Sequence, residues 1–193
     1  METAQLAADV ECLAESLGQL PEPVAKPTLV AVSGLPGTGK SYFSTKLAER
    51  LSFVILESDA LRKILFLCPT YTAEESTRLF RVVHRLIERL LKKGIPVILD
   101  ATNLSERHRE YLYSIAERLG VRLVLVRVEA PPELVAGRLH QRQEVRENRS
   151  DADWVVYQKM RSSVEEIQRR HYVVDTSRDI TPVLDKIVKE VTR

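Results

Sequence analysis

Cysteine is the first scarcity. Cys12 and Cys68 are the only two, and neither has a metal-ligand neighbour at short spacing, which excludes a thiolate metal site and makes a reduced, cytoplasmic setting the expectation. The four histidines, at 84, 108, 140 and 171, show no paired spacing of the zinc type. No apolar run reaches membrane-spanning length, and Glu2, Asp9, Glu11 and Glu15 stand where a signal peptide needs positive charge. Net charge is scarce too. Against 27 Asp and Glu, 29 Lys and Arg leave only +2, too little to imply a nucleic-acid coat, although arginine outnumbers lysine, which suits local phosphate contacts. Aromatics make up 6%, and no basic groove has them interleaved, so a single-strand channel is unsupported.

What remains is the composition of a globular domain, with 44% hydrophobic and 29% charged residues in 193. One stretch organises it. The apolar run Thr28-Leu29-Val30-Ala31-Val32-Ser33 leads into Gly34-Leu35-Pro36-Gly37-Thr38-Gly39-Lys40-Ser41, and a helix-like segment follows. Strand, G-x-x-x-x-G-K-[ST] loop and helix arrive in the order a phosphate cradle needs. Glycines let successive N–H groups converge on phosphate oxygens, Lys40 reaches the β- and γ-phosphates, and the Ser41 hydroxyl is placed for Mg²⁺. The helix adds its unpaired N–H groups and positive dipole end.

In chain order, Leu6, Val10, Leu13 and Leu17 predict an amphipathic helix over 3–17, and a proline-rich lead follows over 21–27. That helix either docks on its own domain or mediates self-association, docking being the commoner outcome. Strands are predicted at 28–33, 53–57, 95–100, 121–128 and 172–176. Helices are predicted between and after them, including 73–93, a Ser105-capped helix ending at Gly120, one opened by Pro131 and Pro132, 151–170, and 181–191. In helix 73–93 the leucine and valine stripe faces the core, and Arg78, Arg81, Arg85 and Arg89 form an outward, solvated row. Apolar strands alternating with helices predict an α/β fold, a parallel sheet covered on both faces. The expected organisation is a helix and lead over 1–27 and a single domain over 28–193 with a lid at about 136–150.

Ligands in such sheets sit beyond the carboxyl ends of the strands, which gathers the loop, Ser58-Asp59, Asp100 to Asn103, and Thr176-Ser177 along one edge. Asp59 is positioned to accept the proton of an attacking hydroxyl, with Arg62 on the same helix face to hold an anionic group; the competing reading is that Ser58 or Asp59 caps the helix. Asp100 either orients Mg²⁺ and its waters or bonds the next turn. Arg138, Arg142 and Arg146 are spaced by four, which makes one stripe if helical. It is either a lid that neutralises a transferring phosphoryl group, with Arg149 a weaker member, or a salt-bridged helix with Glu144 and Glu147.

The stretches GLPGTGKS, SDALRK, VILDATNLSERHR and APPELVAGRLHQRQ, in this order, resemble the P-loop kinases grouped with polynucleotide 5′-hydroxyl kinase and zeta-toxin-like kinases. The resemblance covers roughly residues 28–176. It implies a three-layer fold with the third strand inserted between the first and second, giving order 2-3-1-4-5. It also implies ATP and Mg²⁺ as cofactors, bound by Gly34, Pro36, Gly37, Thr38, Gly39, Lys40, Ser41 and Thr176. By the same resemblance Asp59 is the general base with Arg62 near the acceptor phosphate, and Asp100, Thr102 and Asn103 form the acceptor-side and metal-side loop. Arg138 and Arg142 become the lid arginines, one on the transferred phosphate and one near adenine. The acceptor is then a nucleic-acid 5′-hydroxyl or a small molecule, and the protein is a monomer or homodimer without membrane contact. A nucleotide-gated regulatory protein is the alternative; a GTPase is not, because neither D-x-x-G nor N-K-x-D occurs.

Overall fold

The computed structural model describes residues 2–144 and 153–192. In chain order the elements are α1 (Glu2–Ser16), β1 (Thr28–Ser33), α2 (Lys40–Ala48), β2 (Val54–Glu57), α3 (Ser58–Leu65), α4 (Ala73–Lys92) and β3 (Val97–Asp100). They continue with α5 (Glu106–Leu119), β4 (Arg122–Glu129), α6 (Pro132–Glu144), α7 (Trp154–Arg161), β5 (Tyr172–Asp175) and α8 (Thr181–Val191). The five strands form one parallel sheet in the order β2-β3-β1-β4-β5, with β3 inserted beside β1 as the resemblance implied.

Alternation along the central strands divides the core. Leu29 and Ala31 of β1, Val97 and Leu99 of β3 and Leu125 of β4 face α1, α3, α4 and α5. Val30, Val32, Ile98, Val124 and Val126 face Phe43 and Leu47 of α2 and Leu184 and Ile187 of α8. Every residue of β1 is buried, because a central parallel strand has a helix layer on each side. Val135, Leu139 and Tyr157 form a third, smaller cluster with Leu35 and Trp154, joining α6 and α7 to the phosphate loop.

Helix α1 is docked. Leu13 is fully buried in the main core. Arg78 of α4 grips Asp9 with two hydrogen bonds of 2.8 Å, and Arg89 donates to Glu11 at 2.5 Å. The arginine row of α4 is therefore not simply solvated, since two of its members hold α1 in place. Asp9 accordingly has its carboxyl held below the usual range, chiefly by its hydrogen bonds from Arg78. Among the described residues, no helix is long and apolar enough to cross a membrane.

Two further expectations change. The helix predicted over 151–170 spans only Trp154–Arg161, capped by Asp153, which accepts Val156 N–H at 2.9 Å. Beyond it the chain is drawn away by the buried Arg109, which donates to the carbonyls of Glu165 and Glu166 at 3.2 and 2.9 Å, while Glu165 N–H donates to Leu104 O at 2.9 Å. Those carbonyls are committed to tertiary bonds, so the helix cannot use them. Secondly, neither Ser58 nor Asp59 caps α3. The helix starts at Ser58 directly off β2, with Glu57 as N-cap and no side-chain capping bond.

Candidate active site

The phosphate loop is held from three directions. Its entrance is tied to the β3–α5 turn, where Gly34 N–H donates to Thr102 O at 3.0 Å and the Ser33 hydroxyl lies 3.0 and 3.1 Å from the carbonyls of Thr102 and Asn103. Gly34, at φ 154°, leaves no room for a side chain, since a Cβ there would stand 2.3 Å from Val128 O. The middle of the loop rests on α6. A Cβ on Gly37 would meet Val135 Cγ1 at 2.8 Å, at a φ of 77° that L-residues resist. The exit is tied to the turn after β5, where the Thr176 hydroxyl donates to Thr38 O at 2.6 Å.

Arg138 joins two of these supports. Its Nη1 donates to Thr176 Oγ1 at 2.8 Å and to Gly37 O at 3.3 Å, and its Nη2 donates to Thr176 O at 3.1 Å. Helix α2 begins at Lys40 with Gly39 in the left-handed conformation and no side-chain cap, so its first-turn N–H groups face the loop. Within the loop, the Thr38 hydroxyl and the Lys40 ammonium donate to Leu35 O at 2.8 and 3.1 Å. Ser41 is exposed on the first turn of α2. Arg142 lies on α6 with its side chain outside the described residues, as are Arg146 and Arg149.

The second edge is built from side chains. Asp100, 3% exposed, ends β3 in register with Glu57 of β2 and Val32 of β1. Asp59 is half-buried in the first turn of α3. Arg62, one turn on, is 6% exposed and braces α3 against α4. It pairs with Glu75 at 2.5 Å, reaches Ser76 Oγ at 3.2 Å and lies 4.8 Å from the centre of the Tyr71 ring. Its Nε, also buried, has no hydrogen-bond partner among the described residues. Burial alone would raise the Glu75 carboxyl, but the Thr70 N–H and hydroxyl, Arg62 and the Tyr71 N–H outweigh it and hold the group at about 2.

Thr102 and Asn103 tie the turn after β3 to β1, Thr102 through its carbonyl and Asn103 through both its carbonyl and its side chain. Asn103, at φ 46° and 5% exposed, turns its side-chain amide to Val32 O at 2.9 Å. The residue that sequence reading missed is Arg109, 2% exposed, which donates to Asn103 O and Leu104 O at 2.9 and 3.0 Å and to Glu106 at 2.8 Å. A signal existed. Arg109 shares the core-facing stripe of α5 with Leu112, Tyr113 and Ala116, where an arginine needs carbonyl or carboxylate partners.

These features match known proteins. A model of the AAA domain matches residues 29–167, most of the chain. The chain belongs to that family. Its curated relatives include rat (Rattus norvegicus) 6-phosphofructo-2-kinase/fructose-2,6-bisphosphatase 1, 26% identical over 63% of this chain. The match spans only 30% of that relative's length. Among solved structures, the Mycobacterium tuberculosis APS kinase CysC in complex with AMPPNP and APS superposes with a TM-score of 0.68 at 17% identity, covering 89% of this chain and 100% of that one. Chaetomium thermophilum Kti12 in complex with ADP-AlF3 gives 0.67 at 20% identity, covering 84% and 98%. At such identities the likeness is one of fold, and the fold is that of the P-loop kinases.

Proposed function

We propose that this protein is an ATP- and Mg²⁺-dependent kinase that transfers the γ-phosphoryl group to a hydroxyl acceptor. One observation carries the reading: a phosphate loop braced by Arg138 and Thr176 shares the carboxyl edge of the sheet with the carboxylates of Asp59 and Asp100. A nucleotide switch has no need of a carboxylate facing an acceptor.

In this proposal the loop amides and Lys40 bind the β- and γ-phosphates, and the α2 dipole favours their charge. Among the described residues no group of three His, Cys, Asp or Glu side chains could cage a metal ion. That suits Mg²⁺, a hard cation that is held by one or two protein oxygens and otherwise by water and phosphate. Ser41 and Asp100 are the fitting donors, and the ion when bound neutralises charge building on the phosphoryl oxygens. Asp59 takes the proton of the acceptor hydroxyl, and Arg62 with Glu75 fixes the helix that carries it. Arg138 and Arg142 counter the negative charge of the phosphates from the α6 side. Most of the acceleration in such a site comes from positioning and charge stabilisation.

Incubation with γ-labelled ATP and a panel of hydroxyl acceptors, including 5′-hydroxyl oligonucleotides, nucleosides and sugars, tests this. Label on an acceptor, lost with Asp59→Asn, supports the kinase. Acceptor-independent hydrolysis that is indifferent to Asp59→Asn overturns it in favour of a nucleotide-gated regulator.

A further inference from the structure

A cavity of about 590 Å³ lies far from the phosphate loop, lined by Arg122, Arg170, Tyr172, Lys186, Lys189 and Glu190. Arg122 and Tyr172 are the first residues of β4 and β5, so the cavity opens at the amino edge of the sheet, under the last turns of α8. The eight residues of β4 separate it from the carboxyl edge, roughly 25 Å of strand.

Its charge is one-sided. Glu190, the single acidic lining residue, is engaged twice, accepting from the Tyr172 hydroxyl and pairing with Arg170 at 3.5 Å. Arg122, Lys186 and Lys189 make no ion pair with any described residue and surround one concave space. Lysines near a helix C-terminus complement its dipole, which accounts for Lys189 alone. Arg122 comes from a strand and Arg170 from the segment before β5, and the dipole gives them no reason to converge with α8. Like charges gathered around a cleft repel one another and focus a positive field into it. An anion with more than one charged group relieves that repulsion.

We propose that this cavity is a second anion site, for a small molecule bearing two or more phosphate groups. Its volume fits a small ligand. A single strand of nucleic acid would want a row of stacking rings, and among the described residues Tyr172 is the only aromatic side chain lining it.

Isothermal titration of the 193-residue chain with inorganic pyrophosphate reads the site. The phosphate loop is an alternative receptor, so the wild type is expected to bind two equivalents and Lys40→Ala one. Adding Lys186→Glu and Lys189→Glu to Lys40→Ala should weaken the remaining site at least tenfold. The same charge change made elsewhere, Lys92→Glu with Lys159→Glu in the Lys40→Ala background, should leave it within twofold. The four charge-reversed lysines are exposed, so thermal melts of the two charge-reversed variants should match that of Lys40→Ala. No binding to Lys40→Ala, an equal loss in the remote pair, or tighter binding of a single-stranded oligonucleotide through the same lysines overturns the proposal.

Discussion

The two halves of the candidate site are made differently. On the nucleotide side the fixed atoms are backbone: carbonyls of Gly37, Thr38 and Thr102 and the N–H of Gly34, tied by hydrogen bonds to α6, the β5–α8 turn and the β3–α5 turn. On the proposed acceptor side the fixed atoms belong to side chains, with Arg62 and Glu75 as a buried ion pair joining α3 to α4. Around that pair Ile64, Leu67 and Tyr71 are exposed, Leu67 completely. Backbone geometry tolerates few sequences and reads the same in any of them; a side-chain brace can be rebuilt with other residues.

That contrast can be broken in four ways. The largest effect should come from Arg62→Met, which leaves Glu75 buried against an apolar neighbour. Breaking one partner of a buried pair costs about 3–5 kcal/mol, measured as a drop in urea stability, and Arg62→Met with Glu75→Leu should recover most of it. A loss below about 1 kcal/mol would mean that the brace holds nothing. Next is Asp59→Asn, which should lower phosphoryl transfer at least about a hundredfold, the low end for a general base. ATP affinity should stay within twofold, because the nucleotide half does not include Asp59; unchanged transfer on the true acceptor removes it from the mechanism.

The third test uses pH. His84 of α4 lies among Phe80, His108 and Tyr111, with ring centroids 5.2 Å apart for His84 and Tyr111 and 5.9 Å for Phe80 and His108. Burial, with His108 adding to it, pushes the His84 imidazole down from 6.5 to about 4. The unfolded chain therefore binds this proton first. The associated stability is whole above about pH 6.5 and is lost as pH falls toward 4, roughly 1–3 kcal/mol in all. His84→Phe should flatten urea stability across that window, and an unaltered slope would place the pH dependence elsewhere. The smallest effect belongs to Ser105, whose hydroxyl caps α5 by accepting His108 N–H at 3.3 Å. Ser105→Ala should cost about 1 kcal/mol, and hydrogen exchange should report the loss in the first turn of α5 and not in α2.

The same division separates what could be read early from what could not. The loop, its flanking strand and helix, the parallel sheet and the Ser105 and Gly120 ends of α5 were legible, because each depends on neighbours in sequence or on a short repeat. The early end of α7 was not. Its residues carry helical spacing, but the carbonyls of Glu165 and Glu166 are captured by Arg109, more than fifty positions away in the chain. The partners of Arg78 and Arg89 in the outward row of α4 were hidden for a like reason, since Asp9 and Glu11 reach them only once α1 has docked.

By itself the amino-acid sequence determined that a strand, a glycine loop and a helix would present N–H groups to phosphate, because that geometry is local and needs only glycine, lysine and serine at fixed offsets. Only the tertiary structure decided that α6 would rest on Gly37, that Arg138 would meet Thr176, and that Arg62 would turn to Glu75. Those partners lie between 13 and 101 residues apart. Their meeting depends on how the two helix layers pack on the sheet, and no short-range pattern encodes that packing.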